Sequence, residues 1–223
     1  MTNLGQHSLD LVHFFLGVKA PKSVYSAGGR LHLKDNCEVP DTQDAIIEYP
    51  GFNVTCQYRE ASAGIKGTGM GGLIFYGTKG HMPVGRTGFE LVPDPKVNPT
   101  NIVANVLPGG HPVGGPQPVE PVPKEFWTEA VKDDSGDAMK DYRRHARNFL
   151  DCLKSRKQPI ADLESGYQVA TVCHLANISL KTGRKLAWDS QREEITGDSE
   201  ANAMLVRPYR PPWDRELHAL AGT

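Results

Sequence analysis

Apolar residues near the start of the chain recur at intervals of three and four, the spacing of a helix with one buried face. Gly17 can adopt the positive φ of a helix C-cap, and Pro21 prevents the helix from continuing. Asn3 is the predicted N-cap. The pattern therefore predicts a first helix that begins just after Asn3 and ends at Gly17. Its predicted apolar face consists of Leu9, Val12, Phe15 and Leu16.

The pattern changes from residue 22 to about 93, where short runs rich in β-branched and aromatic residues alternate with turn residues. Pro50-Gly51 joins two of these runs in the manner of a hairpin. The connections contain no helical pattern long enough for a parallel crossover, so we expect a mainly antiparallel sheet. The glycines of 64–72 precede a strand rather than a helix, which argues against a phosphate-binding loop. The predicted strands are 24–27, 45–49, 54–58, 73–76 and 89–92.

The segment 94–134 is rich in proline and glycine, and this composition predicts an arm or surface loop. Phe126 and Trp127 near its end are candidates for an anchor on a neighbouring subunit. A solvated linker is the alternative interpretation.

Helical patterns return twice after this arm. The first covers 137–156, and the second runs from an N-cap at Asp162 to Gly183. A strand over 185–188 and a short helix over 199–205 follow. The apolar face of the first helix contains Ala146, Phe149, Leu150 and Leu153, and that of the second contains Val169, Val172, Cys173, Ala176 and Leu180.

These elements predict an α+β fold, with a large, mostly antiparallel open sheet flanked by helices and a Pro/Gly-rich arm. We expect a single domain over residues 1–223. Because one face of such an open sheet needs a partner, we expect a homo-oligomer that forms through the sheet. The predicted parts are helix plus sheet (1–93), arm (94–134), helical pair and return strand (135–206) and extended tail (207–223).

Composition narrows the class of protein. The chain has 223 residues, 39% hydrophobic content and a formal charge of −1, which gives no electrostatic reason to bind nucleic acid. No segment approaches the ~20 apolar residues of a membrane span, and no signal-peptide pattern opens the chain. We expect a cytoplasmic protein with no membrane partner, unless a lost N-terminal segment carried a signal. The four cysteines are widely separated and indicate neither a zinc site nor a disulfide framework.

The candidate chemistry lies at the start of the first helix. His7 falls near the helix N-terminus, where free N–H groups and the helix dipole favour anionic or hydroxyl-rich ligands. Asp10 lies one turn further along. The alternative is that both residues only cap and solvate a helix end. The loop 2–7 looks like part of an active site, yet it adjoins residue 1. We therefore expect that an N-terminal segment of the protein is missing from this chain.

Five segments carry a wider pattern: Thr-Asn-Leu-Gly-Gln-His-Ser-Leu-Asp (2–10) with the helix after it, Pro-Asp-Thr-Gln (40–43), Arg-Asn-Phe-Leu-Asp-Cys-Leu-Lys-Ser (147–155), Cys-His-Leu-Ala-Asn-Ile (173–178) and Gly-Arg-Lys-Leu-Ala-Trp-Asp (183–189). In their order and spacing they resemble the C-terminal portion of Gfo/Idh/MocA family oxidoreductases.

The resemblance implies a two-domain oxidoreductase, in which an N-terminal Rossmann domain binds NAD or NADP and a C-terminal α/β domain contacts substrate and forms oligomers. This sequence has no dinucleotide-binding fingerprint and no Glu-Lys-Pro element with the family's catalytic lysine. We therefore expect an N-terminally truncated or fragmentary enzyme. Its intact form would transfer hydride between NAD(P) and a sugar or polyol, and this chain alone would be inactive and bind neither cofactor.

The family's D-x-x-x-H motif maps onto Asn3 to His7. By this resemblance His7 contacts the substrate hydroxyl and acts in proton transfer. Asn3 stands where the family has aspartate, and its amide can orient His7 or bind a hydroxyl but cannot exchange a proton. Asp10 joins the candidate substrate-binding residues, although its position suits a bond to the helix start better than chemistry.

Two other classes of function stay open. In the first, the chain is a stand-alone carbohydrate-binding or oligomerisation subunit that pairs with a cofactor-binding partner. In the second, it is a carbohydrate-binding pseudoenzyme without redox activity. The resemblance also leaves the net reaction open, because some relatives cleave glycosides through transient NAD-linked oxidation.

Overall fold

The computed structural model describes residues 1–62, 72–85, 87–96, 125–213 and 216. In chain order the helices are α1 (Gly5–Leu16), α2 (Ala138–Ser155), α3 (Leu163–Thr182) and α4 (Ser199–Ala203). The strands are β1 (Ser23–Gly29), β2 (Thr42–Tyr49), β3 (Phe52–Arg59), β4 (Leu73–Gly77), β5 (Gly80–Gly85), β6 (Gly88–Pro93), β7 (Val131–Asp133), β8 (Leu186–Asp189) and β9 (Glu194–Ile195). The chain divides into two compact units, one of Met1–Gly67 with Lys157–Thr223 and the other of Thr68–Arg156.

The first unit contains a five-stranded sheet with the order β3-β2-β1-β8-β9, in which each neighbouring pair is antiparallel. Tyr49 of β2 faces Phe52 of β3 across the Pro50-Gly51 turn, where Gly51 adopts φ +88°. The predicted hairpin is therefore confirmed. Buried and less buried residues alternate along β2, so one face of the sheet carries the core and the other is open.

Helix α3 packs against β1 on the buried face of this sheet, and α1 packs against α3. Both ends of α3 agree with the sequence prediction. Oδ1 of Asp162 accepts a hydrogen bond from the Ser165 N–H at 2.6 Å, and Gly183 ends the helix with φ +68°. The fully buried apolar side chains include Leu9, Val12, Val24, Ala45, Ile47, Val172, Leu175, Ala176, Leu186 and Ile195.

The long connection between β1 and β2 is closed by the buried carboxylate of Asp41. It accepts hydrogen bonds from the backbone N–H groups of Leu33, His32 and Leu31, at 2.6, 2.8 and 3.0 Å. These bonds hold the pKa of Asp41 far below the ordinary carboxyl range. The aspartate of the Pro-Asp-Thr-Gln segment therefore has a structural role, because it fixes the loop.

The second unit contains a four-stranded antiparallel sheet with the order β4-β5-β6-β7, together with α2. Gly77 pairs with Gly80 across the turn that joins β4 to β5. Oδ1 of Asp137 caps α2 by accepting from the Met139 N–H at 3.0 Å, and Arg156 ends the helix with φ +58°. The apolar stripe of α2 is exposed in the described structure; it includes Met139, Tyr142, Phe149, Leu150 and Leu153.

The predicted fold class is confirmed, since antiparallel sheets are flanked by helices. Strand β7 lies within the segment predicted to be an irregular arm; it forms by pairing with β6, although all its residues are exposed. The rest of that arm, 97–124, lies outside the described residues, as does the glycine-rich segment up to residue 71. Several side chains of the predicted apolar faces are exposed or only partly buried. They are Phe15 and Leu16 of α1, Ala146, Phe149, Leu150 and Leu153 of α2, and Leu180 of α3.

Candidate functional site

The N-terminal end of α1 holds the residues that the sequence singled out. The Gly5 N–H donates to the Met1 carbonyl at 3.1 Å, and the His7 N–H donates to the Leu4 carbonyl at 3.2 Å. Leu4 is the N-cap residue and supplies no side-chain cap, and the first turn contains no acidic residue. The positive end of the helix dipole is therefore not neutralised by a carboxylate of this turn.

His7, Asn3 and Asp10 are all exposed at this end of α1. His7 and Asp10 are three residues apart in the helix, so they are neighbours on its surface. The prediction that Asn3 caps the helix is wrong, because the chain makes a backbone turn from Met1 to Leu4 that leaves Leu4 at the cap. None of the side-chain hydrogen bonds found among the described residues joins His7, Asn3 and Asp10 to one another.

Gly5 allows α1 to lie close to its neighbours. A Cβ atom at this position would be 2.8 Å from Sδ of Met1 and 3.9 Å from Sγ of Cys173 on α3. The first turn of α1, which carries His7, therefore packs closely against the side chains of Met1 and Cys173.

A buried polar pair near this site was missed by the sequence reasoning. Nε2 of His13 lies 2.8 Å from the hydroxyl oxygen of Tyr49, and both side chains are buried. The two rings meet edge to face at 5.6 Å, and Tyr49 in turn stacks on Phe52 at 4.9 Å. Nδ1 of His13 is also buried and has no hydrogen-bond partner among the described residues. The pair ties α1 to the end of β2.

The helical spacing contained a signal for this pair. Leu9, Val12 and His13 follow the i, i+3, i+4 pattern of a buried face, and all three are buried. His13, rather than Phe15 or Leu16, completes the face that packs inward.

The buried ionisable groups of this region stay neutral near pH 7. Burial lowers the pKa of His13, and the nearby charge of Asp10 partly opposes this shift. Burial raises the pKa of Tyr49, and it raises the pKa of the Cys56 thiol to about 12 and that of the Cys173 thiol to about 11. Thiols with such pKa values are poor nucleophiles.

The described strands do not form a dinucleotide-binding fold. Each strand pairing in this part of the chain is antiparallel, whereas a dinucleotide fold needs parallel strands and a glycine-rich turn into a helix. No cluster of three or more metal-ligating side chains occurs among the described residues. No helix in this part of the chain is long and apolar enough to cross a membrane.

Solved structures share this fold. An oxidoreductase from Agrobacterium radiobacter, in complex with NAD+, L-tartaric acid and magnesium, matches with a TM-score of 0.55 and 14% identity, over 83% of this chain and 48% of that chain. A protein classed as an NADPH-dependent oxidoreductase from Desulfitobacterium hafniense matches with a TM-score of 0.53 and 15% identity, over 83% and 46%. A protein classed as an oxidoreductase from Thermotoga maritima has a TM-score of 0.50, 16% identity and coverage of 81% and 44%.

These likenesses place the chain in a structural class, the α/β fold found in about half of each of these oxidoreductase chains. The chain spans about half their length. No curated protein sequence matches it. Residues 130–215 match the family model of the Gfo/Idh/MocA oxidoreductases, described as the C-terminal alpha/beta domain. The resemblance to the C-terminal portion of that family is thereby confirmed.

Proposed function

We propose that this chain is the substrate-binding and assembly half of an oxidoreductase that transfers hydride between NAD(P) and a sugar or polyol. The observation that carries the proposal is the match of residues 130–215 to the Gfo/Idh/MocA C-terminal domain. The antiparallel sheet with α1 and α3 on one face supports it, because similar structures carry the same fold beside the rest of an oxidoreductase chain.

In this proposal His7 is the residue that takes the proton from the substrate hydroxyl. An exposed imidazole suits this role, since one of its ring nitrogens can accept a proton. The exposed start of α1 can orient hydroxyl groups through its N–H donors. Asn3 can bind a hydroxyl or orient His7, but its amide cannot accept the proton. Asp10, one turn on, has the weaker role of setting the charge near the site.

The nicotinamide acts as the hydride acceptor or donor, and a Rossmann domain supplied from outside this sequence would hold it. We therefore assign no step of the hydride transfer to the described residues, and we propose that the chain is a truncated form or fragment of the complete enzyme. Its four cysteines are free thiols, which suits the reducing cytoplasm where these cofactors are used.

We also propose that the open face of the first unit's sheet binds a second copy of the chain. Tyr25 and Ile46 are paired neighbours on this face, with 42% and 47% of their surface exposed. Such an apolar pair on an open sheet is typical of an interface. Sedimentation that shows only monomers at micromolar concentration would contradict this.

A second candidate function rests on Asn3. Because Asn3 cannot stabilise an imidazolium by charge, the chain also suits a carbohydrate-binding or assembly subunit, or a pseudoenzyme, that retains sugar affinity without redox activity.

The test compares the chain alone with the chain joined to a Rossmann domain encoded directly upstream of it. Alone, it should bind neither NAD nor NADP, and a micromolar dissociation constant for either cofactor would sink the proposal. The joined protein should reduce NAD(P) with a sugar or polyol. His7→Ala should abolish that turnover, whereas the control His174→Ala, at another exposed helical histidine, should leave it unchanged. Sugar binding without turnover in the joined protein would favour the pseudoenzyme.

A further inference from the structure

A second candidate site lies in the first unit, at the other end of α1 from His7. A cavity of about 220 Å³ is lined by the segment after α1, the first turns of α3 and the turn between β8 and β9. Twelve helical residues separate the two ends of α1, which corresponds to about 18 Å. The residues that line the cavity include Lys19, Pro21, Glu164, Tyr167, Trp188 and Glu193.

The aromatic wall of this cavity is held in place by the fold. Trp188 packs against the hydrophobic core, and its backbone N–H donates to the Lys22 carbonyl at 2.9 Å. Pro21, which also lines the cavity, is buried. Burial raises the pKa of Tyr167, and the nearby carboxylate of Glu193 adds to this shift. The Trp188 ring therefore presents its surface without first having to be ordered.

The position of Glu193 is set by a side-chain-stabilised turn. Oδ1 of Asp189 accepts from the Gln191 N–H at 2.9 Å and from the Arg192 N–H at 3.1 Å. The turn leaves Glu193 with φ +53°, in the left-handed region that few residues other than glycine adopt. This geometry places Glu193, together with Tyr167, in the lining of the cavity.

The charges of the lining select the class of ligand. Glu164 and Glu193 disfavour an anion, and the ammonium of Lys19 opposes a simple cation. Carboxylates accept hydrogen bonds from hydroxyl groups, the ammonium donates to them, and aromatic faces pack against the C–H groups of a ring. The cavity is large enough to hold one small ring.

We propose that this cavity is a second ligand site, which binds a single neutral sugar ring or cyclic polyol between Tyr167 and Trp188. The site does not require redox activity of the chain, and its occupancy is independent of His7.

The test titrates the full chain with myo-inositol and with D-glucose at millimolar concentrations, and follows the three indole N–H signals by NMR. The Trp188 signal, assigned with Trp188→Phe, should shift saturably, while those of Trp127 and Trp213 should not. Glu193→Gln should weaken binding about tenfold, because a charged hydrogen-bond acceptor is lost. Tyr167→Phe should also weaken it. The matched control is Glu194→Gln, whose carboxylate lies 3.4 Å from Arg192 and does not line the cavity.

Three results would overturn the site. The first is no shift of Trp188 with either probe. The second is equal affinity in Glu193→Gln, Glu194→Gln and the unmodified chain. The third is tighter binding of putrescine than of both neutral probes, which would make the cavity a cation site. Loss of the Trp188 shift in His7→Ala would overturn its independence of the candidate active site, so failure here is distinguishable from failure of the proposed function.

Discussion

Arg184 forms a two-pronged ion pair with Asp198, with Nε 2.8 Å from Oδ2 and Nη2 3.0 Å from Oδ1. Asp198 also caps α4, because its Oδ1 accepts from the Ala201 N–H at 3.0 Å. The Arg184 carbonyl in turn accepts from the Ser179 hydroxyl at 2.6 Å. The Gly-Arg-Lys-Leu segment therefore joins the end of α3 to α4, which gives this part of the family-matching region a structural role.

We predict that Asp198→Ala lowers the urea midpoint of unfolding more than Arg184→Ala does. The arginine variant loses its ion pairs with Asp198 and Glu200, which are partly exposed and so contribute little, whereas the aspartate variant loses the Asp198 pair and the helix cap together. Asp198→Asn should lie close to Arg184→Ala, since asparagine caps as well as aspartate does and only the ion pair is lost. Equal midpoints for the two alanine variants would show that the cap contributes nothing.

We predict that Tyr49→Phe destabilises the chain by about 1–3 kcal/mol, because it leaves Nε2 of the buried His13 without its partner. The measurement is the free energy of unfolding in urea at pH 7.5. Tyr209→Phe is the control, since this tyrosine is 63% exposed, and its change should stay within about 0.5 kcal/mol. A similar small change in both variants would mean that the His13–Tyr49 bond is not maintained in solution.

The pH dependence of stability should contain a contribution from His13. Because burial places its folded pKa below the unfolded value of about 6.5, the unfolded chain binds the proton first as the pH falls. Stability is therefore full above about pH 6.5 and declines on acidification below it. His13→Gln should remove this part of the slope. The groups that act on His13 are Tyr49, which stays neutral, and Asp10, whose charge opposes the shift.

Asp41 provides the internal comparison. Its folded pKa also lies below the unfolded value, so its contribution is lost as the pH falls, but only below about pH 4. Asp41→Asn should flatten the acid part of the profile and leave the slope near pH 6 unchanged. A profile of His13→Gln that parallels the unmodified chain between pH 7 and 5 would contradict the assignment to His13.

The sequence predicted those elements whose signals are local. The cap at Asp162, the left-handed Gly183 and the Pro50-Gly51 hairpin each depend on a few adjacent residues, and each is observed. Strand β7 was not predicted, because it has three exposed residues and owes its existence to pairing with β6. Strand β9, with two residues, depends in the same way on β8.

In the candidate site, too, the sequence predicted the features with local signals and not those that depend on distant residues. His7 could be assigned to the first turn of α1 from spacing alone, and it lies there. The partner of His13 could not be found from spacing, because Tyr49 is 36 residues away and the pair forms only when α1 packs beside the end of β2. The fixed turn at Glu193 likewise depends on the side chain of Asp189, which the helix and strand patterns do not report.

Replacing two glycines by alanine, one at a time, should change the free energy of unfolding in opposite directions. Gly28 lies in β1 with φ +146°, and a Cβ there would be 2.1 Å from the Thr42 carbonyl oxygen on β2. Gly28→Ala should cost about 2 kcal/mol or more, because backbone cannot yield as a flexible side chain can. Gly166 lies within α3, and a Cβ there would meet nothing within 4 Å. Gly166→Ala should stabilise by about 0.5–1 kcal/mol through the lost freedom of the unfolded chain. Urea unfolding of the two variants checks both signs, and a stabilising Gly28→Ala would mean that β1 does not approach β2 as closely as described.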